Sequence, residues 1–367
     1  MSSRRYEGKF AAKKEKKQHR FPLGVRILFT TLIVLLLLVV AAGTAGLIMH
    51  QIGRNKMMID PDTVVSFPTD VDEKNLIVQK DDNGKQISYQ GHTYELNENL
   101  ATFLFMGIDA TISDDPSLPG QAGQADVILI VAVDTQTGKT KILCFPRDTC
   151  AEVDVYSTSG VYVRTDTTQL CLAYAYGDRH KLSCENMLTS VERFLYGIQL
   201  NSYLALDMNG ILCANDSIGG VTLTSKLSFK GQDGRQIDEG ETITLLGKDA
   251  ERYIRSRSHE TMDANLARMD RQKQYVSAFV STVIHQAKGD PTSIINLYQL
   301  LSPYMVTDLG LDKITFLAPV ALKTGGEFEF RTIETERIEM VNDYPMYYLD
   351  ENDLQDAVVN TFYTQID

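Results

Sequence analysis

The sequence predicts a mixed α/β (α+β) domain carried on one N-terminal transmembrane helix. Three observations predict it. Residues 27–49 form an apolar run without a charge, several apolar stretches of buried-strand length follow, and segments with helical apolar spacing come after them. With 43% hydrophobic and 23% charged residues over 367 positions, the chain can bury one sizeable core, and wholesale disorder is excluded.

The membrane element comes first. A run of 23 uncharged residues exceeds the roughly 20 needed to cross a bilayer. It is also longer than the apolar region of a signal peptide, about 7–15 residues, although Ala41-Ala-Gly-Thr-Ala-Gly46 mimics a cleavage site. Residues 1–26 carry nine Lys/Arg against two Asp/Glu, a net of +7, which leaves −19 for the rest of a chain of formal charge −12. Lysine and arginine before the span place that end in the cytoplasm, so residues 50–367 are expected outside the cell membrane. So acidic a domain is a poor general ligand for a nucleic-acid backbone, and no DNA-reading motif accompanies it. Nucleic acid is therefore excluded as a partner.

Residues 50–100 are polar and irregular, and read as a stalk with short strands at Asn75–Gln79 and Gly91–Glu95. The main domain is expected over 101–367. Thr102–Ile108 and Asp126–Val133 have the length of buried strands. The second is joined by the turn Asp134–Gly138 to the strand Thr140–Phe145, a short glycine-containing connection that predicts an antiparallel hairpin. Asn186–Tyr196 places Met187, Val191, Phe194 and Leu195 on one helical face. A strand at Tyr203–Asp207, a helix at Asn209–Ser217 and a strand at Val221–Leu223 follow. A long helix begins near Asn265, with Val276, Phe279, Val280, Val283, Ile284 and Ala287 at three- and four-residue spacing until Gly289. A last helix is expected near Asp353–Tyr363.

Five cysteines include no CxxC pair, so neither a zinc site nor a thioredoxin-like motif is indicated. Cys144 reads as a core residue. Cys171 and Cys184 bracket the polar turn Gly177–Lys181, and in an oxidising exterior a disulfide between them is an expectation to test.

The candidate chemistry lies in arginines and aspartates. Residues 250–275 hold Arg252, Arg255, Arg257, Arg268 and Arg271. Arg268, Arg271 and Gln272 share or adjoin one helical face, and Arg255 and Arg257 project to one side if their segment is extended. Guanidinium keeps its charge and offers a planar fork suited to phosphate oxygens. Glu251, Glu260, Asp263 and Asp270 lie close in sequence, so a solvated, ion-paired face is the competing reading. Asp109 ends one apolar strand, Asp126 opens another, and Arg147-Asp148 follows a third. Two such carboxylates suit Mg²⁺, which completes its shell with water and phosphate. Together the groups describe a metal-and-arginine clamp for a pyrophosphate.

Several ordered motifs carry a family resemblance: Met106-Gly-Ile-Asp109, Ala125-Asp-Val-Ile-Leu129, Phe145-Pro-Arg-Asp-Thr149, Ala173-Tyr-Ala-Tyr-Gly177, Ile218-Gly-Gly-Val221, Tyr253-Ile-Arg-Ser-Arg257 and Arg268-Met-Asp-Arg-Gln272. Over residues 103–287 the chain resembles the LytR-CpsA-Psr domain of bacterial cell-envelope proteins. The resemblance implies a central mixed sheet flanked by helices around a hydrophobic lipid-binding cavity. It implies a membrane-anchored phosphotransferase that moves a glycopolymer (teichoic acid, capsular or other wall polysaccharide) from an undecaprenyl-pyrophosphate carrier to peptidoglycan through a phosphodiester, with a pyrophosphatase side activity. Asp109 and Asp126 would then hold Mg²⁺ or Mn²⁺. Arg147, Arg255, Arg257 and Arg268 would be catalytic and, with Gln272, bind the pyrophosphate; Asp148 would accept a proton or orient an arginine. The alternative is a polyprenyl-pyrophosphate-binding scaffold of the envelope without turnover. Two positions depart from the family pattern: Gln169-Leu-Cys171 stands where Lys-Ile-Asn is usual, and Asn265 stands where an aspartate is usual.

Overall fold

β1 (Leu100–Ile108), β2 (Ala125–Asp134) and β3 (Thr140–Phe145) form an antiparallel meander at the centre of a six-stranded sheet. Apolar residues at almost every position are what strands covered on both faces require. β4 (Tyr203–Asp207) lies parallel to β1 on one side, with β5 (Met305–Thr307) antiparallel at that edge. On the other side β6 (Phe328–Thr332) runs parallel to β3, giving the order β5-β4-β1-β2-β3-β6. The computed structural model describes residues 46–68, 77–112, 118–256, 264–324 and 328–367. Met49–Asp367 forms one compact unit. Most of the expected membrane span lies outside the described residues, and among these no helix is long and apolar enough to cross a membrane.

The β2–β3 turn forms because Asp134 accepts bonds from the backbone of Gln136 (2.9 Å) and Thr137 (2.8 Å), while Gly138 takes φ +79°. Strand alternation then sorts the side chains. Ile128, Ile130, Leu143 and Phe145 join the main core with α1 (Lys181–Phe194) and α6 (Glu351–Phe362). Leu129, Ile142 and Cys144 point to the opposite face, with Val127, Phe330 and Met269 packed against them. Met269 belongs to α4 (Ala264–Gly289), the long helix over that face. A satellite core of Val221, Leu245, Tyr253, Ile254 and Tyr275 fixes α4 beside α3 (Lys248–Arg255). α2 (Met208–Ser217) starts on Asp207, whose carboxylate accepts from Gly210 N at 2.8 Å. α5 (Leu311–Thr324) packs through Phe316 against Met57 and Ala101.

The hairpin, both short strands and all four helices stand where the apolar spacing puts them, with boundaries moved by a few residues. The stretch read as a stalk differs. Ile59, Val65, Phe67, Ile87 and Tyr89 are buried in the main core, and strands at Gln86–Tyr89 and His92–Leu96 share a sheet with Tyr363–Gln365. Polar residues there face outward from a packed layer. Three hairpins were not anticipated: Cys150–Tyr156 with Tyr162–Gln169, Phe229–Lys230 with Gln236–Ile237, and Thr335–Val341 with Tyr344–Leu349.

Candidate active site

Antiparallel pairing brings the end of β1, the start of β2 and the end of β3 to one edge of the sheet. Asp109, Asp126 and Arg147-Asp148 therefore meet, although 38 positions separate Asp109 from Arg147. Gln124 N donates to Asp109 Oδ1 at 2.6 Å, and Asp109 N donates to Gln124 O at 3.1 Å. Arg147 spreads its guanidinium over three acceptors: Nη1 on Asp126 Oδ1, Nη2 on Gln124 Oε1, and Nε on Asp148 Oδ1 at 3.3 Å. Asp148 is only 8% exposed, so its charge is held next to that of Arg147 in a partly desolvated setting.

α4 supplies the other wall. Arg268, 5% exposed, and Gln272 line a cleft with Asp126, Arg147 and Asp148. Val127, Leu129, Cys144, Met269, Val276 and Phe330 continue it as apolar wall. The cleft is charged at the sheet edge and apolar beneath α4, and it encloses only about 30 Å³.

Among the described residues, Arg252, Arg255 and Arg271 do not line that cleft. Arg271 is buried but donates Nε to Tyr253 O at 3.1 Å and Nη2 to Ser256 O, tying α4 to the end of α3; burial lowers its pKa. Arg255 corrects the expectation of an extended segment. Ala250, Tyr253 and Ile254 face the satellite core at helical spacing, so Arg255 is the last residue of a helix. Its exposed guanidinium donates to Glu251 Oε1 at 3.0 Å, the ion pair that the competing reading anticipates at this one residue. Arg257 lies outside the described residues.

The Cys171–Cys184 disulfide is also corrected, since all five cysteines are free. Cys171 faces Gln124 Oε1 at 4.0 Å beneath the site, and burial pushes its thiol up to about 12. Cys184 sits with Met187 and Val191 on the buried stripe of α1. Both thiols face protein interior rather than the turn between them.

Asp109 and Asp126 each use one carboxylate oxygen in hydrogen bonds among the described residues and keep the other. Hard oxygen donors in that number fit Mg²⁺, which needs one or two carboxylates beside water and phosphate. Among the described residues no larger cluster of His, Cys, Asp or Glu could hold a metal. Gln124, Gln169 and Tyr347 belong to the site's surroundings without having been singled out for it. Gln124 had a usable signal, since it directly precedes the Ala125-Asp126 motif.

A mixed sheet with carboxylates and guanidinium groups at one edge, opening on an apolar wall, defines an α/β domain suited to an amphiphilic polyanion. Residues 63–362 match the model of the LytR_cpsA_psr family, and the chain belongs to that family. It is 25% identical over 306 residues to the polyisoprenyl-teichoic acid–peptidoglycan teichoic acid transferase TagU of Oceanobacillus iheyensis, covering 83% of this chain and 82% of that protein. Identity to the TagU of Halalkalibacterium halodurans is 30% over 159 residues, 43% of this chain and about half (47%) of the relative. Among solved structures, Bacillus subtilis TagV superposes with a TM-score of 0.55 at 21% identity, over 72% of this chain and 96% of that one, a likeness of fold.

Proposed function

We propose that the chain is a glycopolymer phosphotransferase that moves a wall polymer from undecaprenyl pyrophosphate to peptidoglycan. One observation carries this reading: a single cleft joins buried arginine and carboxylate groups to an apolar wall. A prenyl pyrophosphate has that same division. The transferase names of the relatives support it.

In this reading Arg147, Arg268 and Gln272 hold the pyrophosphate oxygens and stabilise charge on the transferred phosphoryl group and the leaving oxygen. Arg255 and Arg257 complete the clamp by family resemblance. Mg²⁺ or Mn²⁺ on Asp109 and Asp126 would add positive charge at the same oxygens. A peptidoglycan hydroxyl attacks the phosphorus next to the glycan and gives up its proton to solvent, a new P–O bond forms, and undecaprenyl phosphate departs as the pyrophosphate bridge breaks. Asp148, with Arg147 Nε on its Oδ1, orients that arginine. The charge-free span and basic flank support a single-pass anchor with its N-terminus cytoplasmic and this domain outside.

The test supplies purified, detergent-solubilised full-length protein with a lipid-linked wall glycan and peptidoglycan fragments. Release of undecaprenyl phosphate together with a phosphodiester-linked product is expected. Tight donor binding without release would return the protein to the scaffold reading.

A further inference from the structure

Gln169 ends the strand Tyr162–Gln169 and is 6% exposed. Its Nε2 donates to Asp148 Oδ1 at 2.8 Å and to Pro345 O at 2.9 Å. Carboxylate and carbonyl oxygens can only accept at neutral pH, so these partners fix the amide orientation and use both its hydrogens. Asp148 Oδ1 is the same oxygen that receives Arg147 Nε. Meanwhile Asp148 O accepts from Tyr347 N at 2.9 Å, and Tyr347 lines the cleft. One side chain thus reaches a site carboxylate and the hairpin Thr335–Leu349 together.

We propose that Gln169 is a positioning residue: it holds Asp148 so that Arg147 presents its fork to the pyrophosphate, and it fastens the 335–349 hairpin as part of the cleft wall. This rests on the transferase reading for the ligand's chemistry, a prenyl pyrophosphate, but not on turnover. The neutral amide suits the place. It offers two donors to two acceptors. Lysine also supplies donors there, whereas an apolar side chain supplies none and leaves Pro345 O and Asp148 short of a partner.

The experiment is a double-mutant cycle on full-length protein, with geranylgeranyl pyrophosphate as probe and thermal melting as the folding control. Gln169→Met, close in volume but without donors, should weaken binding about tenfold, the scale of one hydrogen bond to a charged group. In an Arg147→Ala background the same change should cost nothing further, because a residue that acts through Arg147 has nothing left to act on. A packing role alone would add its loss in both backgrounds. Gln169→Lys should bind within about threefold of wild type by restoring the donors. Gln169→Asn, one methylene short, keeps the cycle standing if the Met variant does not fold. Wild-type affinity in Gln169→Met, or an equal loss in both backgrounds, overturns the assignment. A wild-type chain that binds the probe yet releases no undecaprenyl phosphate from a glycan donor sinks the transfer reading and leaves Gln169 in place. Failure of the wild-type chain to bind the probe overturns both.

Discussion

At the scale of single residues, Arg147 is the group to which the most site contacts converge. Lysine there keeps a charge but cannot reach Asp126, Gln124 and Asp148 together. Arg147→Lys should lower turnover by about 10- to 100-fold, the worth of one charge-assisted bond at roughly 1.5–3 kcal/mol, with a small change in melting temperature. Arg255→Ala separates two roles. As a surface i,i+4 pair with Glu251 it contributes only about 0.3–0.5 kcal/mol to stability. Turnover reduced tenfold or more in that variant, at unchanged melting temperature, is expected if its fork reaches the donor; unchanged turnover leaves Arg255 an ion pair. The thiols give a direct count. Denatured, unreduced protein should show all five cysteines to a thiol reagent, where a disulfide would leave three. Folded protein should protect Cys144, Cys171 and Cys184, which are buried.

At the scale of elements, the central hairpin depends on an acid in its turn. Burial alone would raise the Asp134 carboxyl, but bonds from the backbone of Thr137 and Gln136 outweigh it and hold its pKa below the usual value. A depressed carboxyl pKa contributes stability that is complete above the unfolded value and is lost as pH falls through the folded one. Asp134→Asn should therefore be less stable than wild type near pH 7, and the gap should close as pH drops below about 4. Denaturant melts at several pH values check this, and a pH-independent gap would deny the carboxylate that role.

Elements that could be read from the sequence are those with one sustained apolar pattern, near-unbroken runs in β1, β2 and β3 and three- and four-residue spacing in α4. Tyr162–Gln169 is rich in β-forming Tyr, Val and Thr but is mostly exposed, so no apolar run or alternation marks it as a strand. α3 was left unassigned because Arg255 and Arg257 invite a period of two, whereas Ala250, Tyr253 and Ile254 obey the helical one. The site divides in the same way. Asp109, Asp126 and Arg147 were legible because each ends or opens an apolar strand. Gln169 and Tyr347 were not, because their roles exist only through contacts made across 21 and 199 positions with Asp148.

At the scale of the whole domain, a cleft of about 30 Å³ has room for no more than a few water molecules. In the transferase reading, a polyprenyl chain would have to part α4 from the sheet there. Met269 packs against the cluster that holds Cys144 across that seam, so Met269→Cys oxidised onto Cys144 should close it. Mass spectrometry should show the bond, prenyl pyrophosphate binding should fall at least tenfold, and reductant should restore it. Full binding by the cross-linked protein would mean that the lipid uses another route.

The strand Tyr363–Gln365 has a consequence for how the molecule comes into being. It completes a sheet begun at Val78, pairing Tyr363 with Leu96, while the Tyr363 hydroxyl donates to Gly84 O at 2.6 Å. A growing chain that has made residues 78–96 must keep that sheet one strand short until almost all the rest of the domain has been synthesised. Its early strands carry an open edge during that interval, the kind of surface that recruits chaperones or stray strands. Biogenesis of this domain is therefore sensitive to interruption late in translation, at residues that never touch the cleft.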